Sequence, residues 1–123
     1  MADALVPRIE LFDGLFEELD DVSLRRDRTT GLRSAKLTFL ALKALERFRS
    51  FTSSFAQALR LTDSEGVLLL EPSSTRVIFG GDDGDELRGV EFVVEIDRDD
   101  HWERFLRFMQ RYAAANGMAY GDR

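Results

Sequence analysis

The sequence predicts an α+β fold, a single-domain antiparallel β-sheet meander covered by helices, with a long amphipathic helix at the C-terminal end. Three observations predict it. Several short segments alternate apolar and polar residues with the period of two that a half-buried strand requires. Turn residues such as Asp13-Gly14 and Glu65-Gly66 punctuate them. The period changes to that of a helix only at residues 40–51 and after Asp100.

Residues 9–12 form the first predicted strand, Ile9 to Phe12, ended by Asp13-Gly14. Residues 20–28 predict the second, with Val22 and Leu24 on one side and Arg25 and Asp27 on the other. Arg26 and Arg28 continue the apolar row, so that end of the strand leaves the core. After the turn Thr29-Thr30-Gly31, residues 34–40 put Ala35, Leu37 and Phe39 inward against Lys36 and Thr38. The two strands make a hairpin with a basic tip of Arg25, Arg26, Arg28 and Arg33.

Ala41, Leu42, Leu45, Phe48 and Phe51 then fit one face of a helix, with Lys43, Glu46, Arg47 and Arg49 turned to solvent. Residues 55–61 read as strand and Thr62-Asp63-Ser64-Glu65-Gly66 as a hairpin loop. Residues 67–70 and 75–79 are strands separated by Glu71-Pro72-Ser73-Ser74, and Gly80 to Asp85 is another loop. The cleanest strand is residues 90–96, where Val90, Phe92, Val94 and Ile96 alternate with Glu91 and Glu95. Asp100 is the predicted N-cap of the last helix, and Glu103 completes a capping box. Trp102, Phe105, Leu106, Met109, Tyr112 and Ala113 form the apolar stripe of that helix, Arg104, Arg107 and Arg111 its opposite face, and Asn116-Gly117 its stop. Trp102, Phe105, Met109 and Tyr112 are the expected structural anchor. If Trp102 is buried, its replacement by Ala is expected to cost roughly 3–5 kcal/mol.

At 123 residues the chain is expected to be one domain, and with 44% hydrophobic residues, ten of them Phe, it has the material for a packed core. There is no Cys, which removes disulfides, thiolate metal sites and cysteine nucleophiles. A single histidine, His101, leaves little for metal binding or acid/base chemistry. No apolar run approaches the ~20 residues of a membrane-spanning helix. Met1 to Pro7 has neither the basic start nor the apolar stretch of a signal peptide, so the expectation is a soluble protein that works where it is made. The formal charge of −6 is unevenly spread: −6 over residues 1–23, +7 over 24–60, −10 over 61–103 and +3 over 104–123. Such blocks suit a partner whose own surface is charge-patterned.

The motifs with chemical readings are weak. Asp82-Asp83-Gly84-Asp85-Glu86 lacks the register of a calcium loop and reads better as a polar hairpin loop. His101 stands beside Asp99 and Asp100 without a serine in a nucleophile-elbow context. Gly80-Gly81 lacks the strand-to-helix setting of a phosphate loop. The basic tip, with Lys36, is opposed as a nucleic-acid site by the −10 block that follows and by the want of an aromatic platform, so a protein partner is the better reading. A small ligand-binding or hydrolytic domain using the acids around Asp97, Asp99 and Asp100 is the alternative.

The run from His101 to Met118, His-Trp-Glu-Arg-Phe-Leu-Arg-Phe-Met-Gln-Arg-Tyr-Ala-Ala-Ala-Asn-Gly-Met, closely resembles the signature helix of the photosystem II reaction-centre thirteen-kilodalton protein family, soluble assembly factors of oxygenic phototrophs. Ile9-Glu10 with Phe12 and Gly14, Asp21-Val22 with Leu24, Arg26 and Arg28, and Ala35 with Thr38 and Phe39 match that family's early strands in order and spacing. Leu61, Asp63 and Glu65-Gly66 match its hairpin, and Phe79, Gly81 and Val90-Glu91 its later positions. The chain departs from the pattern at Asp20, where the family has Pro, in the turn Asp27 to Gly31, across residues 40–51, and at Gln57-Ala58-Leu59. These departures resemble the second, divergent paralogue of some cyanobacteria.

The resemblance implies a non-enzymatic assembly factor without cofactor or metal. It implies a peripheral location on the cytoplasmic (stromal) side of the thylakoid membrane and transient binding to photosystem II assembly intermediates. The implied partners are the CP47 antenna protein and the core subunits, near their acceptor-side loops, with no nucleic acid, no direct membrane insertion and a monomeric state. An antiparallel sheet edge accepting a partner strand is compatible with that role. The expected contacts are Arg26, Arg28 and Lys36, with Arg104, Arg107 and Arg111 as a second set.

Overall fold

Ala35, Leu37 and Phe39 point to one side of a strand and are fully buried, and Val90 and Phe92 of the neighbouring strand lie against them. The fold comes from a computed structural model, which describes residues 6–12, 15–40 and 58–118. Within the described residues are strands β1 (Arg8–Phe12), β2 (Leu15–Glu17), β3 (Asp21–Arg26), β4 (Arg33–Phe39), β5 (Leu59–Asp63), β6 (Gly66–Leu70), β7 (Ser74–Gly80) and β8 (Glu86–Ile96), followed by helix α1 (Asp99–Asn116). Every pairing is antiparallel. The strands divide between two four-stranded sheets, ordered β2-β1-β5-β6 and β3-β4-β8-β7. The chain moves from one sheet to the other hairpin by hairpin, so strands distant in sequence become neighbours. The α+β class and the C-terminal helix are as the sequence predicts.

Helix α1 packs against β5 of one sheet and β8 of the other. That position widens its apolar arc: Phe105, Phe108, Met109, Tyr112 and Ala113 are buried, whereas Trp102 and Leu106 are half-buried. Phe108 lies outside the stripe read from the sequence because a second sheet calls for a second flank. The Tyr112 hydroxyl accepts the Leu19 backbone N–H at 2.9 Å, tying the segment between β2 and β3 to the helix. Gly117, at φ 68°, closes the helix, and the Met118 N–H reaches back to the Ala113 carbonyl at 2.9 Å.

Several boundaries move. The N-cap is Arg98, with no side-chain cap bond, and Asp100 lies within the first turn, where Arg98 holds its carboxylate at 3.1 and 2.8 Å. The expected capping box is therefore absent, because the helix already begins at Asp99 and Asp100 no longer occupies the N-cap position. Strand β3 ends at Arg26, leaving Arg28 in the turn. Thr62 and Asp63 belong to β5 and are buried, so the loop read there narrows to Ser64-Glu65. Strand β5 runs from Leu59, the part read at residues 55–57 lying outside the described residues, and β8 starts at Glu86, earlier than the sequence predicts. The helix read at residues 40–51, with Lys43, Arg47 and Arg49, lies outside the described residues apart from Leu40.

Candidate protein-docking surface

Arg104, Arg107 and Arg111 recur at helical spacing along one side of α1, and that side lies over the β5–β6 turn. Arg104 donates to both oxygens of the fully buried Asp63 carboxylate, at 3.0 and 2.7 Å, and to the Gly66 carbonyl at 3.1 Å. Arg107 holds Glu65 at 2.8 and 3.0 Å. Arg111 bridges the two acids, 3.0 Å from Asp63 and 2.6 Å from Glu65. Burial pushes the Asp63 carboxyl up, but the Arg104 and Arg111 guanidiniums outweigh it and hold it below its usual range. Glu65 is held down to about 2 by hydrogen bonds from Arg107 and Arg111. The second expected contact set is thus placed in a network within the chain, with Arg107 its most exposed member.

The remaining cations divide sharply. Arg8 pairs with Glu10, Arg76 with Glu91, Arg88 with Glu86 and Arg98 with Asp100, while Arg60 is also engaged. Arg33, read as part of the basic tip, donates to Asp99 at 2.5 Å and lies 5.8 Å from the centre of the Trp102 ring. Arg25, Arg26, Arg28 and Lys36 have no ion pair or hydrogen bond among the described residues, and all stand on the β3–β4 hairpin. The first contact set, Arg26, Arg28 and Lys36, therefore falls together on the one hairpin that carries unpaired cations among the described residues.

Strand β3 is a terminal strand of its sheet, so one side of its backbone has no strand partner among the described residues. The Asp27 N–H donates to the Leu32 carbonyl at 2.8 Å, which fixes the parity of the ladder. Counting back from that bond, the peptide groups of Val22, Leu24 and Arg26 face the open edge. Pairing of Ser23 with Lys36 and of Arg25 with Ser34 puts Arg25 and Lys36 on the outer face of the sheet. Pairing of Leu24 with the buried Ala35 and of Arg26 with Arg33 puts Leu24 and Arg26 on the face that carries α1. An open depression follows on each face: one lined by Leu24, Arg25, Arg26, Arg33 and Trp102, the other by Ser23, Arg25, Ser34, Lys36 and Val93.

Sequence reasoning missed the first depression, because Trp102 read as a core residue. The signal for it was the apolar row of β3 running from Leu24 into Arg26. The acids of the alternative reading face guanidiniums, Asp99 toward Arg33 and Asp100 toward Arg98. Among the described residues no group of three or more His, Asp or Glu is placed to hold a metal ion.

Comparison with known proteins adds an independent line. A family model described as Psb28 protein matches residues 9–120. A photosystem II reaction center Psb28 protein of Guillardia theta is 30% identical over 113 residues, covering 91% of this chain and 92% of the relative. The protein of the same name from Synechococcus sp. strain JA-3-3Ab is 32% identical over 110 residues, covering 89% and 94%. That from Trichormus variabilis is 32% identical over 114 residues, covering 92% and 96%.

Proposed function

The chain belongs to the Psb28 family, and from that premise we propose that it is a non-enzymatic assembly factor for photosystem II. In this reading it binds assembly intermediates transiently from the cytoplasmic side of the thylakoid membrane, meeting the CP47 antenna protein and the acceptor-side loops of the core subunits. The names of its relatives support association with photosystem II. No helix of the described residues is long and apolar enough to cross a membrane, which is compatible with peripheral attachment.

The observation that carries the reading is the coincidence, on one hairpin, of cations and a strand edge that have no partner among the described residues. Backbone groups along β3 supply affinity for an added strand, while Arg26, Arg28 and Lys36 select an acidic segment and steer its approach. Arg104, Arg107 and Arg111 enter differently: they hold the β5–β6 turn on α1, and the exposed part of Arg107 is left as a secondary contact.

The test is capture of photosystem II subunits from solubilised thylakoid membranes at low and high salt. Capture by the unaltered chain is expected to weaken with salt, because exposed charges beyond ~10 Å are screened near 0.1 M. Arg26→Glu with Arg28→Glu is expected to abolish it. Equal capture by that variant would overturn the contact assignment, and recovery of no photosystem subunit from any assembly-stage preparation would overturn the function.

A further inference from the structure

Arg26 and Arg33 stand directly opposite each other across the β3–β4 ladder, an arrangement of like charges that destabilises a sheet. One carboxylate answers the pair: Asp99 accepts from Arg33, while Arg26 has no partner among the described residues. The Nε of Arg33 is a buried donor without an acceptor among the described residues. Beside the two guanidiniums lie Leu24, which is 44% exposed, and the half-buried ring of Trp102, and together with Arg25 they line an open depression. An unanswered charge, an exposed leucine and an indole at one place describe a binding site for a group that is anionic at one point and apolar beside it.

We propose that this depression receives an acidic side chain of a peptide strand added to the β3 edge, an inference that rests on the docking reading above and names its specificity element. The parity of the edge carries the argument. The peptide groups of Leu24 and Arg26 face outward, so a strand pairing with β3 places residues opposite them, and directly opposed residues of an antiparallel pair share a face. Their side chains then enter the depression on the α1 side. A carboxylate there meets Arg26 in a charge-assisted contact that the guanidinium fork makes bidentate. The neighbouring alternate residue of the added strand lies against Leu24 or the Trp102 ring. A free phosphate satisfies the guanidiniums but leaves the leucine, the indole and the strand edge unused, which favours the peptide.

Trp102 is the only tryptophan of the chain, so its emission reports directly on the site. The full chain is titrated with the acetylated, amidated peptide Val-Thr-Glu-Thr-Val, whose Glu and two Val share one strand face, with the same peptide carrying Gln for Glu, and with inorganic phosphate at matched ionic strength. A saturable change with the Glu peptide is expected, about tenfold weaker with the Gln peptide or with the Arg26→Gln chain. Lys36→Gln, on the other face, is expected to leave it unchanged. An equal response to the Gln peptide overturns the proposal, as does an equally strong response to phosphate or silence up to roughly 10 mM peptide. Photosystem capture that still requires Arg26 and Arg28 while the indole stays silent sinks this inference and leaves the docking reading standing. A peptide response without any photosystem capture does the reverse.

Discussion

Arg104 holds Asp63 with two nitrogens, at 3.0 and 2.7 Å, although the Asp63 side chain is fully buried and the arginine side chain only 14% exposed. The pair joins α1 to the end of β5 across forty-one positions of sequence. Replacing Arg104 by Ala leaves a buried carboxylate with Arg111 as its remaining guanidinium, and a loss of about 3 kcal/mol is expected. The urea midpoint should fall at an unchanged slope. Replacing Asp63 and Arg104 together by Leu and Met is expected to recover most of the loss, because the charge and its counter-charge leave together.

The same network sets a pH dependence. The folded-state pKa of Glu65 lies at about 2 against an ordinary 4.5, and that of Asp63 is lowered too. A depressed carboxylate contributes stability that is fully present above its unfolded value and lost as pH falls through its folded value. The urea midpoint should therefore hold steady above about pH 5 and fall between pH 4.5 and 2, the interval between the two Glu65 values. Glu65→Gln is expected to flatten that fall and to lower the plateau.

Gly89 tests a close approach in the second sheet. A Cβ there would lie 2.3 Å from the backbone carbonyl oxygen of Phe39, next to the irregular pairing of β7 with β8. Gly89→Ala forces β4 and β8 apart and is expected to cost roughly 3 kcal/mol or more, or to prevent folding. Gly84 has open space about it and a positive φ of 72°, so Gly84→Ala should cost only about 1 kcal/mol. Thermal melts of the two variants check the contrast.

Trp102 carries less of the core than its sequence position implies. It stacks on Phe105 at 5.8 Å between centroids but keeps one side open beside Arg33, whereas Phe105 and Phe108 are completely buried. Trp102→Ala is expected to cost about 1–2 kcal/mol, and Phe105→Ala or Phe108→Ala about 3–5 kcal/mol. Chemical denaturation of the three variants under one condition orders them.

What the sequence made legible follows from how local each signal is. The runs through Leu37 and Phe92 declare their buried face by alternation alone, and Gly117 declares a helix end by its conformational freedom. The local sequence makes Asp63 a loop residue, because a polar residue before Ser64-Glu65-Gly66 has turn chemistry. Its burial depends on guanidiniums forty-one and forty-eight positions away. Arg33 belongs by local pattern to the basic tip, and its pairing is hidden for the same reason, since Asp99 lies sixty-six positions on. The division into two sheets rests on such distant pairings. By contrast, the placement of Arg26, Arg28 and Lys36 on one hairpin was local, and it was legible.

The turn that carries Arg28 is itself pre-shaped. Asp27 Oδ1 accepts the backbone N–H groups of Thr29 and Thr30 at 2.8 and 2.9 Å, and these bonds lower the Asp27 pKa. Gly31, at φ 77°, returns its N–H to the Asp27 carbonyl, and the Thr30 hydroxyl accepts from the Leu32 N–H at 3.1 Å. The loop is exposed and buries nothing, so Asp27→Ala should leave the melting temperature nearly unchanged. It removes the side-chain bonds that shape the turn around Arg28 while the backbone bonds between Asp27 and Leu32 remain, so Arg28 must be ordered at the moment of binding. Capture of photosystem II subunits is therefore expected to weaken by about fivefold with Asp27→Ala, and Asp27→Asn, which keeps the accepting oxygen, should restore it. Equal capture by the Ala and Asn variants would show that the turn shapes the hairpin without contributing to docking.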